Sequence, residues 1–170
     1  GYARPGYDHL FVVSADGGAA RQLTFGNWDD GGPLSWSPDG RRILFTGNRR
    51  ADWEREVMNT EVYSVDVASG AVTALTSRNG PDFAPAWSPD GKHIAYLGFD
   101  DVNRSYENAE LYVMNGDGSG VRALTAGLDQ SIDGIEWVGN SALYVSYDDR
   151  AKKRSSTASG RPGMGTPRRR

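Results

Sequence analysis

The acidic residues beside Trp53 are the side chains of this sequence with the clearest potential for ligand binding. Glu54 and Glu56 are two positions apart, so their carboxylates lie on the same side of the chain if the segment is extended. Two neighbouring carboxylates attract a positively charged group. The alternative is a solvated loop in which these acids pair with basic side chains nearby.

The sequence indicates neither a metal site nor a cofactor. Residues Asn115–Gly120 are similar to the start of an EF-hand calcium loop, but Ala126 stands at the twelfth position, where such a loop needs a bidentate glutamate. Asp100, Asp101 and Asn103 could bind a cation in a folded loop, although carboxylates with this spacing are usually solvated. Cysteine is absent, which excludes a thiolate metal site and a disulfide framework.

A five-residue motif, Trp-Ser-Pro-Asp-Gly, occurs at residues 36–40 and again at 87–91. A third, altered copy surrounds Trp137, and the three tryptophans are 51 and 50 residues apart. This period is typical of the blades of a β-propeller. The motif predicts a tight turn, since proline fixes φ and glycine accepts positive φ, and its tryptophan is predicted to pack between neighbouring blades. The residues to which we assign this structural role are Trp36, Pro38, Asp39, Gly40, Trp87, Pro89, Asp90, Gly91 and Trp137.

Short stretches of alternating apolar and polar residues around these motifs predict antiparallel strands. We therefore expect an all-β fold, a partial β-propeller of four-stranded antiparallel blades that occupies residues 1–149. The long insertions Gly47–Asn59 and Phe99–Asn108 separate the second and third strands of the two full blades, and loops of this length often carry function. The two full blades plus two half blades are expected at 8–24 (half blade), 33–76 (blade), 84–125 (blade) and 134–147 (half blade).

Residues 150–170 differ from the rest of the chain in charge. They carry eight basic and no acidic side chains, whereas residues 1–149 carry 11 basic and 22 acidic ones. Proline and glycine around Arg161 argue against a further strand there, and we predict a basic disordered tail, explained by a frameshifted or truncated end. The alternative is a basic arm for nucleic acid or an anionic membrane. Because no aromatic residue interleaves the basic ones and the body is acidic, we expect neither of these partners.

The repeated motifs, together with Leu75-Thr76, Leu124-Thr125 and the run from Gly98 to Asn115, resemble a known domain. They are similar to the N-terminal β-propeller of bacterial prolyl-oligopeptidase-family serine peptidases, in the acylaminoacyl-peptidase and dipeptidyl-peptidase branch. The resemblance covers about Asp8 to Asp149. TolB-like propellers share the Trp-Ser-Pro-Asp-Gly repeat, but the long insertions and the stretch from Asn48 to Tyr63 favour the peptidase branch.

This resemblance implies a propeller that caps an α/β-hydrolase domain, restricts access to it and helps to position peptide substrates. The hydrolase domain supplies a Ser-Asp-His triad in such enzymes. This sequence has no G-x-S-x-G nucleophile turn, and its two histidines, His9 and His93, stand at the starts of predicted strands. We therefore expect a chain that is not itself an enzyme, with no catalytic residues. Its expected partners are the missing hydrolase domain, the remaining blades and a peptide.

The resemblance also assigns a role to the acidic segment. Dipeptidyl peptidases carry an Asp-Trp-x-x-Glu-Glu pattern on the propeller, where paired carboxylates bind the free ammonium group of the substrate. Here Glu56 matches the first glutamate, Val57 replaces the second, and Glu54 could complete a pair. We take Trp53, Glu54 and Glu56 as the candidate substrate-binding residues.

Two other functions remain open at this point. A TolB-like module that docks protein partners would have shorter loops between strands, and a nucleic-acid-binding protein would use the basic tail. The compartment is unknown, either bacterial cytoplasm or periplasm, because the sequence begins at Gly1 without a signal peptide and we expect its native N-terminus to be missing.

Overall fold

The computed structural model describes residues 6–102, 106–149 and 152–159. In these residues, every element of regular secondary structure is a β-strand, which confirms the predicted all-β class. In this part of the chain, no helical segment has the length and apolar character needed to cross a bilayer. The strands are β1 (Phe11–Val12), β2 (Arg21–Gln22), β3 (Asp30–Trp36), β4 (Arg42–Gly47), β5 (Glu61–Asp66), β6 (Val72–Ala74), β7 (Asp82–Trp87), β8 (His93–Gly98), β9 (Glu110–Asn115), β10 (Arg122–Ala123), β11 (Ile132–Val138), β12 (Ala142–Asp149) and β13 (Lys152–Ser159).

These strands form four antiparallel sheets within the described residues, and each sheet follows the order of the chain. The first sheet pairs β1 with β2, the second contains β3 to β6, the third contains β7 to β10, and the fourth contains β11 to β13. The second and third sheets are complete four-stranded meanders. They confirm the prediction of two full antiparallel blades, because this is the strand order of a propeller blade.

Neighbouring sheets pack face to face through three apolar clusters. Ile43 and Phe45 of β4 face the first sheet, while Leu44 between them faces the third, because successive side chains of a strand point to opposite sides. Both faces of the second sheet are therefore buried. The buried members of the clusters are Leu10, Leu23, Ile43, Phe45, Tyr63 and Val65 between the first and second sheets; Leu44, Val62, Trp87, Ile94, Tyr96 and Met114 between the second and third; and Ala95, Leu97, Leu111, Val113, Ile132, Leu143 and Val145 between the third and fourth.

The Leu-Thr pair that ends each repeat has a structural purpose. The hydroxyl oxygen of Thr24 accepts the backbone N–H of Leu10 at 2.9 Å, and that of Thr76 accepts the N–H of Val62 at the same distance. Thr125 accepts the N–H of Leu111 in the third sheet, also at 2.9 Å. The threonine thus accepts a backbone N–H at or near the start of the strand that precedes it in the same sheet. Without this partner, a donor that is removed from water would lower the stability of the fold.

The two Trp-Ser-Pro-Asp-Gly turns have the same hydrogen bonds. Ser37 accepts the N–H of Arg42 on its hydroxyl oxygen at 2.9 Å and donates its proton to Asp39 at 2.6 Å. In the second copy the corresponding distances, to His93 and Asp90, are 2.9 and 2.7 Å. The serine hydroxyl bond, as the largest cause, lowers the pKa of the aspartate in both turns. The turn is therefore specified locally, by residues within the motif and the strand that follows it.

The tryptophans of the three copies differ in burial. Trp87 is 6% exposed and lies in the cluster between the second and third sheets. Trp137 is half-buried, packs on the third sheet, and donates from Nε1 to the carbonyl of Ala86 at 3.0 Å. Trp36 is 48% exposed. The prediction of inter-blade packing is therefore wrong for Trp36, since the first sheet offers only β1 and β2 in the described residues.

The predicted disordered tail and final half blade need correction for residues 152–159. These residues form β13, which pairs with β12 along its length, from Ala142 opposite Ser159 to Asp149 opposite Lys152. The fourth sheet therefore has three strands. The physical reason is that this run lacks proline and glycine, so it can supply backbone partners to the outer edge of β12. Residues 160–170 lie outside the described residues.

Candidate functional site

The loop between β4 and β5, which carries the candidate substrate-binding residues, is folded into turns. The N–H groups of Arg55 and Glu56 donate to the carbonyl of Asp52 at 2.8 and 3.2 Å. The segment is therefore not extended, and the condition under which Glu54 and Glu56 would share a side is not met. Side chains two positions apart do not share a face in turns of this kind, so the backbone does not align the carboxylates of Glu54 and Glu56, which are both exposed.

Asn48 fastens this loop to the end of β4. Its side-chain amide donates from Nδ2 to the carbonyl of Glu56 at 2.6 Å, and Asn48 is only 9% exposed. At the far end of the loop, the N–H of Asn59 donates to the same carbonyl at 2.9 Å. The two ends of the loop are thus held to one backbone group, which fixes where Trp53 lies.

Trp53 lines an open cleft of ≈ 430 Å³ between the loop, the start of β3 and the end of β4. It is half-buried, and its ring meets that of Tyr7 edge-on with centroids 6.1 Å apart. Of the three candidate residues, this cleft contains Trp53 alone. Its lining residues are Asp8, Asp29, Asp30, Gly31, Gly32, Thr46, Gly47, Asn48, Trp53, Val57 and Thr60.

The carboxylate at the floor of the cleft is neutralised by an arginine. Asp30 is buried and accepts two hydrogen bonds from Arg49, at 2.7 and 2.6 Å. The guanidinium of Arg49 also lies 5.4 Å from the ring centroid of Phe45 and 5.5 Å from that of Tyr63. His9 places Nδ1 3.6 Å from Asp30. This bidentate pair is a structural anchor, because a buried carboxylate needs such compensation.

Asp8 and Asp29 supply the negative charge at the rim of the cleft. Both are exposed, and the N–H of Asp8 donates to Oδ1 of Asp29 at 2.8 Å, which holds the two residues together. These two residues were not predicted from the sequence, because they come from two separate segments, before β1 and before β3. No motif links these positions, and the packing of the first sheet on the second brings Asp8 to the cleft that Asp29 and Trp53 also line.

The arrangement suits the binding of a cationic group better than catalysis or metal binding. An aromatic ring beside exposed carboxylates attracts ammonium and guanidinium groups. Among the described residues, no group of three or more His, Cys, Asp or Glu side chains is placed to hold a metal ion. Of the residues considered for a cation site, Asp100 forms an ion pair with Arg78, whose Nε lies 3.4 Å from Oδ1 of Asp100. Asn103 lies outside the described residues.

Comparisons with known proteins place the chain in a family. The family model of the dipeptidyl peptidase IV (DPP IV) N-terminal region matches residues 1–86, just over half of the chain. The Tol-Pal system protein TolB of Francisella tularensis is 30% identical over 118 residues, which are 67% of this chain and 24% of that protein. The chain thus spans about a quarter of the length of this relative.

Solved structures share the fold. A Mycobacterium tuberculosis puromycin-hydrolyzing peptidase superposes with a TM-score of 0.71 at 18% identity, covering 95% of this chain and 27% of that one. A putative TolB from Agrobacterium tumefaciens gives a TM-score of 0.66 at 22% identity, with 89% and 53% covered. Both likenesses support a TolB-like propeller fold. With the family match, they lead to the conclusion that this chain belongs to the family of the dipeptidyl peptidase IV N-terminal region.

Proposed function

We propose that this chain is a non-catalytic propeller segment of a serine peptidase, which gates access and positions peptides for a hydrolase domain. The observation that carries the proposal is the cleft that Trp53 lines together with the exposed residues Asp8 and Asp29, in a chain of this family. The parent protein would be a hydrolase, and the partners of this segment would be that domain and the peptide.

The chemistry of the cleft favours the amino terminus of a peptide. An ammonium group can approach the face of an indole and donate hydrogen bonds to carboxylate oxygens at the rim. Glu54 and Glu56 stand outside the cleft lining, where their charge adds attraction that salt screens. In this proposal Trp53 provides the main contact, and the two glutamates steer the peptide from solvent.

The test is a calorimetric titration of the chain with a short peptide that has a free amino terminus and with the same peptide acetylated. We expect the free peptide to bind and the acetylated one to bind about tenfold more weakly, since one such charged contact is worth about 1.4 kcal/mol. Trp53→Ala is expected to weaken the free peptide by a similar factor. Asp29→Asn should reduce the preference for the free amino terminus.

Tyr106→Ala is the matched control for the aromatic substitution. Tyr106 is 73% exposed and lies in the corresponding insertion of the third sheet, away from the cleft. Its removal should leave the affinity unchanged. Equal binding of the free and acetylated peptides, or equal losses in the Tyr106 and Trp53 variants, would contradict the proposal.

A TolB-like module that docks a folded protein is the second candidate, favoured by the 30% identity to TolB. The insertions of the second and third sheets count against it, because a docking surface needs no cleft walled by a loop anchored at Asn48. Such a module would bind neither form of the short peptide. The same titration therefore separates the two candidates.

A further inference from the structure

Two buried carboxylates, those of Glu61 and Asp82, lie at the junction between the second and third sheets. Glu61, the first residue of β5, is 3% exposed, and Asp82, the first residue of β7, is fully buried. The hydroxyl of Thr76 donates to Oε2 of Glu61 at 2.6 Å. The N–H of Asp82 donates to the carbonyl of Thr60 at 2.7 Å, which ties the two strand starts together.

Among the described residues, the junction holds one partly buried arginine for these two acids. Arg78 forms an ion pair with Asp82 and lies 4.1 Å from the ring centroid of Tyr112. In the described residues, Oε1 of Glu61 and Oδ2 of Asp82 are buried and accept no hydrogen bond. Two ionised carboxylates would therefore leave an uncompensated buried charge, which is strongly unfavourable.

A single proton on the carboxylate pair removes that charge. The pKa of Glu61 is raised to about 7, with burial as the largest cause; the hydrogen bond from Thr76 lowers this pKa, and the neighbouring charge of Asp82 contributes to raising it. Burial also raises the pKa of Asp82, against the effect of Arg78. The proton is best placed on Glu61, because Asp82 has the direct contact with Arg78.

We propose that Glu61 keeps its proton in the folded chain up to about neutral pH and that loss of this proton loosens the junction between the second and third sheets. The inference rests on the burial of the pair, its two unpartnered oxygens and the single arginine. It does not depend on the proposed function.

The other charged groups around the pair do not replace this proton. Arg50 and Asp100 act on the pair from solvent-exposed loops. The charge of Arg50 lowers the pKa of Glu61, and the charge of Asp100 raises the pKa of Asp82. Burial raises the pKa of the phenols of Tyr63 and Tyr96, which therefore stay neutral. Arg50 also belongs to the loop that carries Trp53, so the charge of Glu61 acts on the same loop that walls the cleft.

The direction of the pH effect follows from the raised pKa. Between the ordinary value of 4.5 and about 7, the folded chain keeps a proton on Glu61 that the unfolded chain has lost. Stability from this group is complete below the lower value and is lost as pH rises toward the upper one. The unfolding equilibrium constant should rise by up to about tenfold per pH unit across this window.

Urea unfolding of the chain and of Glu61→Gln between pH 4.5 and 8 tests the proposal. Glutamine keeps the shape of the protonated acid and cannot titrate, so this variant should lose the wild-type dependence on pH. Glu110→Gln is the matched control, because Glu110 is the first residue of β9 as Glu61 is of β5. Glu110 accepts a hydrogen bond from the Tyr112 hydroxyl at 3.1 Å. At the position of the fourth sheet that corresponds to Asp82, Ile132 stands in place of a second buried acid. The control should keep the wild-type dependence.

Equal pH dependence in the wild type and the Glu61 variant would overturn the proposal. A carbon-13 NMR titration of the Glu61 carboxyl group in the wild-type chain gives the answer if the variant does not fold. A midpoint near neutrality supports the proposal, and a midpoint at the value of an ordinary glutamate refutes it.

Discussion

The second and third sheets carry the same motif in the same register, yet they bury it differently. Trp36 lies opposite Ile43 in one sheet, and Trp87 lies opposite Ile94 in the other. Arg42 of the preceding sheet places its guanidinium 4.6 Å from the ring centroid of Trp87. Trp36 has no such cover from the described strands of the first sheet. The comparison teaches that the motif specifies its turn, whereas the neighbouring sheet decides whether its tryptophan is buried.

Each of the two sheets also contains a cluster of the same composition, although the residues come from different segments. Each has an aspartate at the start of its first strand, held by an arginine, and a tyrosine stacked on a second aromatic ring: Phe45 on Tyr63, and Tyr96 on Tyr112. Arg49 comes from the loop after β4, whereas Arg78 comes from the loop before β7. The position of the charge in space is thus repeated, although its position in the sequence is not.

The largest difference between the sheets should appear on removal of the tryptophans. Trp87→Ala is expected to cost about 3–5 kcal/mol of unfolding free energy, because it leaves a cavity in a closed cluster. Trp36→Ala should cost less than about 1 kcal/mol, as is usual for exposed positions. Urea unfolding followed by circular dichroism measures both. Equal costs would mean that Trp36 is covered in solution.

Substitutions in the two motif turns should have the same effect on stability, in contrast to the tryptophan substitutions. Ser37→Ala and Ser88→Ala each remove a hydroxyl that accepts one partly buried N–H and donates to an aspartate. We expect each substitution to cost about 1–3 kcal/mol. The same unfolding assay provides the comparison, and costs that differ by more than a factor of two would show that the turns depend on their surroundings.

The smallest effect is expected at the bulge in the first strand of each sheet. Ala84 has φ of 50°, where the second sheet has Gly32 with φ of 75°. Ala84→Gly should therefore leave stability unchanged or raise it by up to about 1 kcal/mol, since an L-residue is strained there. Gly32→Ala is the reverse control and should destabilise, because an added Cβ would also meet the Thr46 hydroxyl. Thermal unfolding resolves both changes. A loss of stability in the Ala84 variant would mean that its methyl contacts outweigh the strain.

Much of the fold could be predicted because it repeats short-range information. The spacing of the tryptophans, the Pro-Asp-Gly turns and the Leu-Thr pairs specify strand order within a sheet, and each depends on residues within a few positions of one another. The candidate site was less accessible. Trp53 was identified from its loop, but the turns around Asp52 separate it from Glu54 and Glu56, and the alternation rule used for them holds only for extended chain.

The sequence by itself determined the all-β class, the two four-stranded sheets and the shared hydrogen bonds of the motif turns. Tertiary structure alone decided which tryptophan is buried, that Asp8 and Asp29 line one cleft with Trp53, and that Glu61 and Asp82 are buried at the same junction. The physical reason is that these contacts join residues from different sheets. Burial and electrostatic interaction depend on that packing, because the cost of a charge is set by what surrounds it and not by its neighbours in sequence.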